Sequence, residues 1–143
     1  MKIMVAYDGT LQAKEALVYG MEKAREKGGE VVALHVFNSN MFIDYDATVD
    51  AEAMARRESA QFVAEAKSLI REKGAGVRAS LFTAEGNPEE EVISFARSSK
   101  ADVLLCPSKF KTIISKYQKA LGESELIGEA AKMNLTVLST KTM

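Results

Sequence analysis

The chain contains very little of several residue types that mark specialised classes of protein. Of its 143 residues, one is cysteine, two are proline, one is histidine and none is tryptophan. The lone cysteine, Cys106, excludes an internal disulfide, and no zinc-site spacing is present, so we expect a reducing, cytoplasmic location. With so little proline and no low-complexity segment, no linker is indicated, and we expect residues 1–143 to form a single domain.

The sequence also lacks an excess of charge of one sign and long apolar runs. Its 19 basic and 20 acidic residues give a net charge of −1, which supplies no overall attraction to nucleic acids or anionic membranes. No apolar stretch approaches the roughly 20 residues that cross a bilayer. The apolar run at residues 3–7 is too short for the core of a signal peptide. We therefore expect no membrane association and no nucleic-acid partner.

What the sequence does contain is a regular alternation of short apolar runs with helical periods. The runs predict five strands, at residues 2–7, 30–37, 77–84, 101–106 and 135–140. Three- and four-residue spacings of apolar residues predict a helix after each of the first four strands. Asp8 or Thr10 is suited to cap the first helix, and Asn87 followed by Pro88 is suited to begin the third. This alternation predicts a parallel sheet with helices on both faces.

Ligands of such sheets bind beyond the carboxyl ends of the strands, where the strand order reverses. The predicted strand ends bring Ala6, Tyr7, Asp8 and Val36 to this rim, together with the turn that begins at Cys106. Each of these residues also has a structural interpretation. Asp8 is suited to an Asx turn or a cap, Cys106 to a buried apolar position, and Tyr7 either to packing over a ligand or to filling an empty pocket.

Three segments of the sequence resemble one known family. They are MVAYDGTLQAKEAL, VVALHVF and GNPEEEVISFARSSKADVLL, at residues 4–17, 31–37 and 86–105. Together they resemble the first strand and turn, the second strand, and the third helix and fourth strand of the universal stress protein family. The resemblance implies a Rossmann-like α/β/α fold, similar to that of the adenine nucleotide alpha hydrolases, with five parallel strands in the order 3-2-1-4-5. It also implies a homodimer that pairs across the last strand, and a role in stress physiology without a defined reaction.

The sequence departs from this family at its phosphate motif, which is Gly-x-x-Gly, nine residues and then Gly-Ser/Thr. Pro107 and Phe110 occupy the positions of the first two glycines. Gly122 approximates the next glycine after eleven intervening residues instead of nine, and Ser124 follows two residues later. Because Pro107 has no N–H group and Phe110 carries a large ring, the standard triphosphate site is not expected here.

The segment 107–121 has two interpretations that the sequence leaves open. Lys109, Lys111, Lys116 and Lys119 have no acidic residue among them, so their ammonium groups could replace the missing backbone donors and hold an anion. Alternatively, the segment is an amphipathic helix with apolar residues inward and solvated lysines. Met41 and the apolar residues after it fit a contact between subunits.

The sequence therefore predicts a regulatory or binding protein of the stress response, without turnover and without a cofactor. The alternative is a protein that binds ATP or AMP through a remodelled site, a slow ATPase included. The residues predicted to contact the nucleotide are Ala6, Tyr7, Asp8, Val36, Cys106, Lys109, Gly122 and Ser124. A third interpretation is a flavodoxin-like electron-transfer module, which the strand order alone permits. An unidentified protein partner is compatible with each of these functions.

Overall fold

The computed structural model describes residues 1–42, 49–107 and 136–139. In chain order the elements are β1 (Lys2–Ala6), α1 (Leu11–Lys27), β2 (Glu30–Phe37), a short 3₁₀ helix (Ser39–Phe42), α2 (Val49–Lys73), β3 (Arg78–Glu85), α3 (Pro88–Ser98), β4 (Val103–Cys106) and β5 (Thr136–Ser139). The predicted strands and the first three predicted helices are confirmed to within a few residues. The fourth predicted helix and the lysine-rich segment lie outside the described residues.

Four strands form a parallel sheet in the order β3-β2-β1-β4. β5 lies beside β4 but runs antiparallel to it, with Leu104 opposite Leu138. The prediction of five parallel strands is therefore wrong at the last strand. An edge strand pairs on one side only, and an antiparallel edge on an otherwise parallel sheet is common. The apolar pattern at 135–140 predicts a strand but carries no information about its direction.

The two faces of the sheet bury alternate residues of each strand, as a period of two requires. Ile3 and Val5 of β1 face α1 and α2, whereas Met4 and Ala6 face α3. Leu105 packs on the first face and Leu104 on the second. The three layers predicted from the alternation of strands and helices are thus confirmed.

The helix ends follow the chemistry expected from the sequence. Thr10 caps α1, since its hydroxyl oxygen accepts a hydrogen bond from the N–H of Ala13 at 3.2 Å. Asn87 caps α3 through the N–H of Glu90 at 3.1 Å, and Pro88 occupies the first turn. Gly28 ends α1 in the left-handed conformation, with φ of 68°, which glycine adopts without steric cost. The caps at Thr10 and Asn87 fix where the loops after β1 and β3 end, and Gly28 fixes where the turn before β2 begins.

Candidate functional site

The strand order reverses between β1 and β4, and the candidate site lies at the carboxyl ends of these two strands. The chain passes from β1 to β2 and β3 on one side, then returns to place β4 on the other. Val5 lies opposite Leu105, which brings the following residues, Ala6 and Cys106, side by side. Such a reversal is where open parallel sheets bind ligands.

Ala6, Val36 and Cys106 pack in the same cluster on the α3 side of the sheet. Ala6 and Cys106 are buried, and Val36 is partly exposed at the end of β2. Three of the predicted rim residues are therefore brought together. They form an apolar wall with no hydrogen-bonding side chain among them except the thiol.

Asp8 is half-buried directly after β1 and organises the turn into α1. Its Oδ1 accepts hydrogen bonds from the N–H and the hydroxyl of Thr10, at 3.1 and 2.5 Å. Asp8 therefore forms the Asx turn, while Thr10 provides the cap. Gly9 has φ of +81°, and a Cβ at this position would lie 2.3 Å from the ring of Phe62. The turn thus requires glycine for both its conformation and its contact with α2.

Tyr7 lies on the opposite side of the sheet from Ala6 and packs in the core beneath α1 and α2. Its side chain is 2% exposed, and its hydroxyl has no hydrogen-bond partner within the described ranges. Burial, followed by the nearby charges of Glu65 and Asp8, raises the pKa of Tyr7 to about 12. Tyr7 therefore occupies the hydrophobic core instead of the rim.

Cys106 ends β4 and is completely buried. Burial, with a smaller contribution from the carboxylate of Asp8, raises the pKa of its thiol well above the usual range. A protonated, inaccessible thiol is a poor nucleophile. The expectation that Cys106 is a buried apolar residue is thus confirmed by its surroundings.

Pro107 is also buried and follows Cys106 directly. Its ring nitrogen has no hydrogen to donate, so the first residue beyond β4 offers no backbone donor to a ligand. The other three predicted site residues, Lys109, Gly122 and Ser124, lie outside the described residues. Their contribution to the rim stays a prediction.

The sequence did not reveal that His35 is paired with a serine. His35 is buried in β2, with Nδ1 2.9 Å from the carbonyl oxygen of Tyr7 and Nε2 2.5 Å from the hydroxyl oxygen of Ser59. A carbonyl oxygen can only accept, so Nδ1 is the donor of the first bond. One feature of the sequence could have indicated this pairing. Ser59 lies at helical spacing from the apolar residues Ala55, Phe62 and Ala66, and it is the polar residue among these four.

Within the ranges that the structure covers, no cluster of three histidine, cysteine or acidic side chains is arranged to hold a metal ion. The same ranges contain no helix that is long and apolar enough to span a membrane.

The fold agrees with what comparison with known proteins shows. A model described as the universal stress protein family matches residues 1–118. The chain belongs to this family. A universal stress protein of Methanocaldococcus jannaschii is 26% identical over 114 residues, which cover 78% of this chain and 66% of that protein. The chain thus spans slightly less than two thirds of the length of that relative.

Solved universal stress proteins share the fold at low sequence identity. One from Burkholderia pseudomallei has a TM-score of 0.64 at 21% identity, covering 82% of this chain and 89% of its own. One from Archaeoglobus fulgidus, in complex with dAMP, has a TM-score of 0.54 at 23% identity, covering 80% of this chain and 86% of its own. As a universal stress protein, this chain is a stress-related protein with a Rossmann-like α/β architecture.

Proposed function

We propose that this universal stress protein is a regulatory or binding protein that does not hold ATP in the glycine-lined mode of many relatives. The buried Pro107 at the end of β4 is the observation that carries this proposal. A phosphate-binding turn places consecutive backbone N–H groups around the phosphate oxygens, and glycines allow the backbone to approach them closely. Pro107 removes one of these donors.

The alternative function is binding of an adenine nucleotide with a single phosphate. The apolar wall of Ala6, Val36 and Cys106, next to the carboxylate of Asp8, suits a flat base whose donors face an acid. The relative from Archaeoglobus fulgidus that was solved in complex with dAMP supports this class of ligand. A monophosphate needs fewer backbone donors from the turn after β4 than a triphosphate does.

Isothermal titration of the purified full chain with ATP, ADP and AMP tests both functions. We expect no heat of ATP binding at micromolar concentrations. If AMP binds, Asp8→Asn should change its affinity, and Asp50→Asn, which makes the same substitution on the exposed start of α2, should not. Micromolar ATP binding that depends on Asp8 or Gly122 would contradict the main proposal.

We further propose that the protein acts in the cytoplasm as a homodimer paired through its last strand, and without catalysing a reaction. Light scattering after size-exclusion chromatography tests the dimer. A proline at Val137 removes one backbone donor from β5 and should give monomers if this strand forms the interface. Unchanged dimers would show that the subunits pair elsewhere.

A further inference from the structure

A groove with a volume of about 740 Å³ lies between α2 and the carboxyl ends of β2 and β3. It is on the face that carries Tyr7 and His35, opposite the face on which Ala6, Val36 and Cys106 cluster. Volumes of roughly 300–1,000 Å³ are usual for small-molecule sites. The nucleotide rim does not account for this groove.

The middle of the groove is apolar because α2 presents small side chains there. Ala60, Val63 and Ala64 line it from the helix, and both alanines are exposed. A groove of this width exists because no large side chain extends from these positions. The body of a ligand in this part of the groove would be apolar.

One end of the groove carries an available positive charge. No carboxylate pairs with the Lys67 ammonium within the described parts of the chain. Arg56, by contrast, is held by Glu52 at 3.1 Å and by Glu85 at 2.6 Å. The guanidinium of Arg56 also lies over the ring of Phe37, at 4.4 Å from its centroid. Lys67 is thus the cation of the groove that can bind an anionic group.

Ser59 gives the groove a hydrogen-bond acceptor. In the tautomer whose Nδ1 donates to the carbonyl of Tyr7, Nε2 accepts, and the Ser59 hydroxyl donates its proton to it. The lone pairs of the Ser59 oxygen remain for a donor from a ligand. Ser59 and Lys67 are eight residues apart on one helix, a separation of about 12 Å along its axis.

From these features we propose that the groove binds a small amphipathic anion. Its anionic group pairs with Lys67, its apolar body covers Ala60, Val63 and Ala64, and an O–H or N–H about 12 Å away donates to Ser59. The inference is independent of the nucleotide proposal, since it uses the other face of the sheet.

Calorimetric titration with 10-hydroxydecanoate tests the proposal, because this molecule carries a carboxylate and a hydroxyl at the two ends of an apolar chain of suitable length. Decanoate, which lacks the hydroxyl, should bind about fivefold more weakly through loss of the bond to Ser59. 1,10-Decanediol lacks the carboxylate and should also bind about fivefold more weakly. Lys67→Gln should reduce the affinity for 10-hydroxydecanoate to that for the diol, whereas Lys73→Gln, on the same helix but outside the groove, should leave it unchanged.

The decisive pair of variants is Ala60→Phe and Gln61→Phe. Both place the same ring at an exposed position of α2, but only the first fills the groove. We expect Ala60→Phe to abolish binding and Gln61→Phe to retain it, with unchanged circular dichroism in both. Absence of binding to the wild-type chain, equal binding by the two variants, or displacement of 10-hydroxydecanoate by AMP would overturn the proposal.

Discussion

β1 and β4 are neighbours at the point where the strand order reverses, and the residues at their carboxyl ends differ in chemistry. After β1, Asp8 and Thr10 form a hydrogen-bonded turn in which Asp8 is a half-buried carboxylate. After β4, Cys106 and Pro107 are buried and offer no ionised side chain and no backbone donor at the proline. A ligand at this rim can therefore be recognised by the β1 end but receives little from the first residues after β4. Under our proposal, this contrast favours binding of a base over binding of a polyphosphate at the rim.

The largest effect is expected from Gly9→Ala, which tests how rigidly the β1 end is built. Alanine is strained at the positive φ of this position, and its Cβ would lie 2.3 Å from the ring of Phe62. We therefore expect the unfolding free energy to fall by about 3 kcal/mol. Gly28→Ala is the matched control, since its φ is +68° and nothing lies within 4 Å of the added carbon. It should cost about 1 kcal/mol. Equal losses in urea denaturation would show that the contact with Phe62 is unimportant.

The next largest effect concerns the pH dependence of stability at the β1 end. The pKa of Tyr7 is about 12 in the folded protein and 10.0 ordinarily. The unfolded chain therefore releases this proton first, and Tyr7 destabilises the fold progressively between pH 10 and pH 12. The loss is on the order of 2 kcal/mol, from the free energy that corresponds to each pKa unit.

Tyr7→Phe should remove this loss. Its effect at pH 7 should be neutral or stabilising, because the hydroxyl has no hydrogen-bond partner among the described residues. Urea denaturation of both proteins at pH 7 and pH 11 measures the difference. If the two proteins lost the same stability on going to pH 11, the proposed titration of Tyr7 would be wrong.

A smaller effect tests whether the β4 end prevents phosphate binding. Pro107→Gly combined with Phe110→Gly restores a backbone donor and removes a large ring, so we expect ATP to bind about tenfold more tightly than to the wild-type chain. Pro88→Gly changes the other proline of the chain and should leave ATP binding unaltered. If the double variant binds ATP no better, the two residues are not the barrier.

The smallest effect is expected for Asp8→Asn. The amide oxygen of asparagine can accept the same bond from the Thr10 N–H, so the change in unfolding free energy should be about 0.5 kcal/mol or less. Urea denaturation of the variant and of the wild-type chain at pH 7 measures this difference. A loss of several kcal/mol would mean that the carboxylate has a structural role beyond the turn.

Most of the fold could be predicted from the sequence because local signals agree with the topology. The alternation of strands and helices predicted the three layers. Thr10, Asn87 and Pro88 predicted where the first and third helices begin, and the structure has helices beginning there. The direction of β5 could not be predicted, since it depends on the path of the preceding segment and not on the apolar pattern of Thr136–Ser139. An apolar pattern thus predicts that a segment is a strand more securely than it predicts how that strand pairs with its neighbour.

The candidate site was predicted in part. Strand ends are set by topology, so Ala6, Asp8, Val36 and Cys106 could be placed near one another from the sequence. Tyr7 follows Ala6 directly, and successive side chains of a strand point to opposite faces of the sheet. The side chain of Tyr7 therefore lies on the face opposite that of Ala6. The bond between His35 and Ser59 joins β2 to α2 across 24 positions. Such a pairing depends on how the helix docks on the sheet, which single-sequence patterns do not specify.

The most direct test of the central claim is a crystal structure of the chain grown with ATP. We predict that no β- or γ-phosphate is bound by backbone N–H groups of the turn that begins at Pro107. Any adenine should instead lie against Ala6, Val36 and Asp8. A triphosphate held by the backbone of residues 108–124 would contradict the account, because it would show that the glycine positions can be replaced without loss of the standard site.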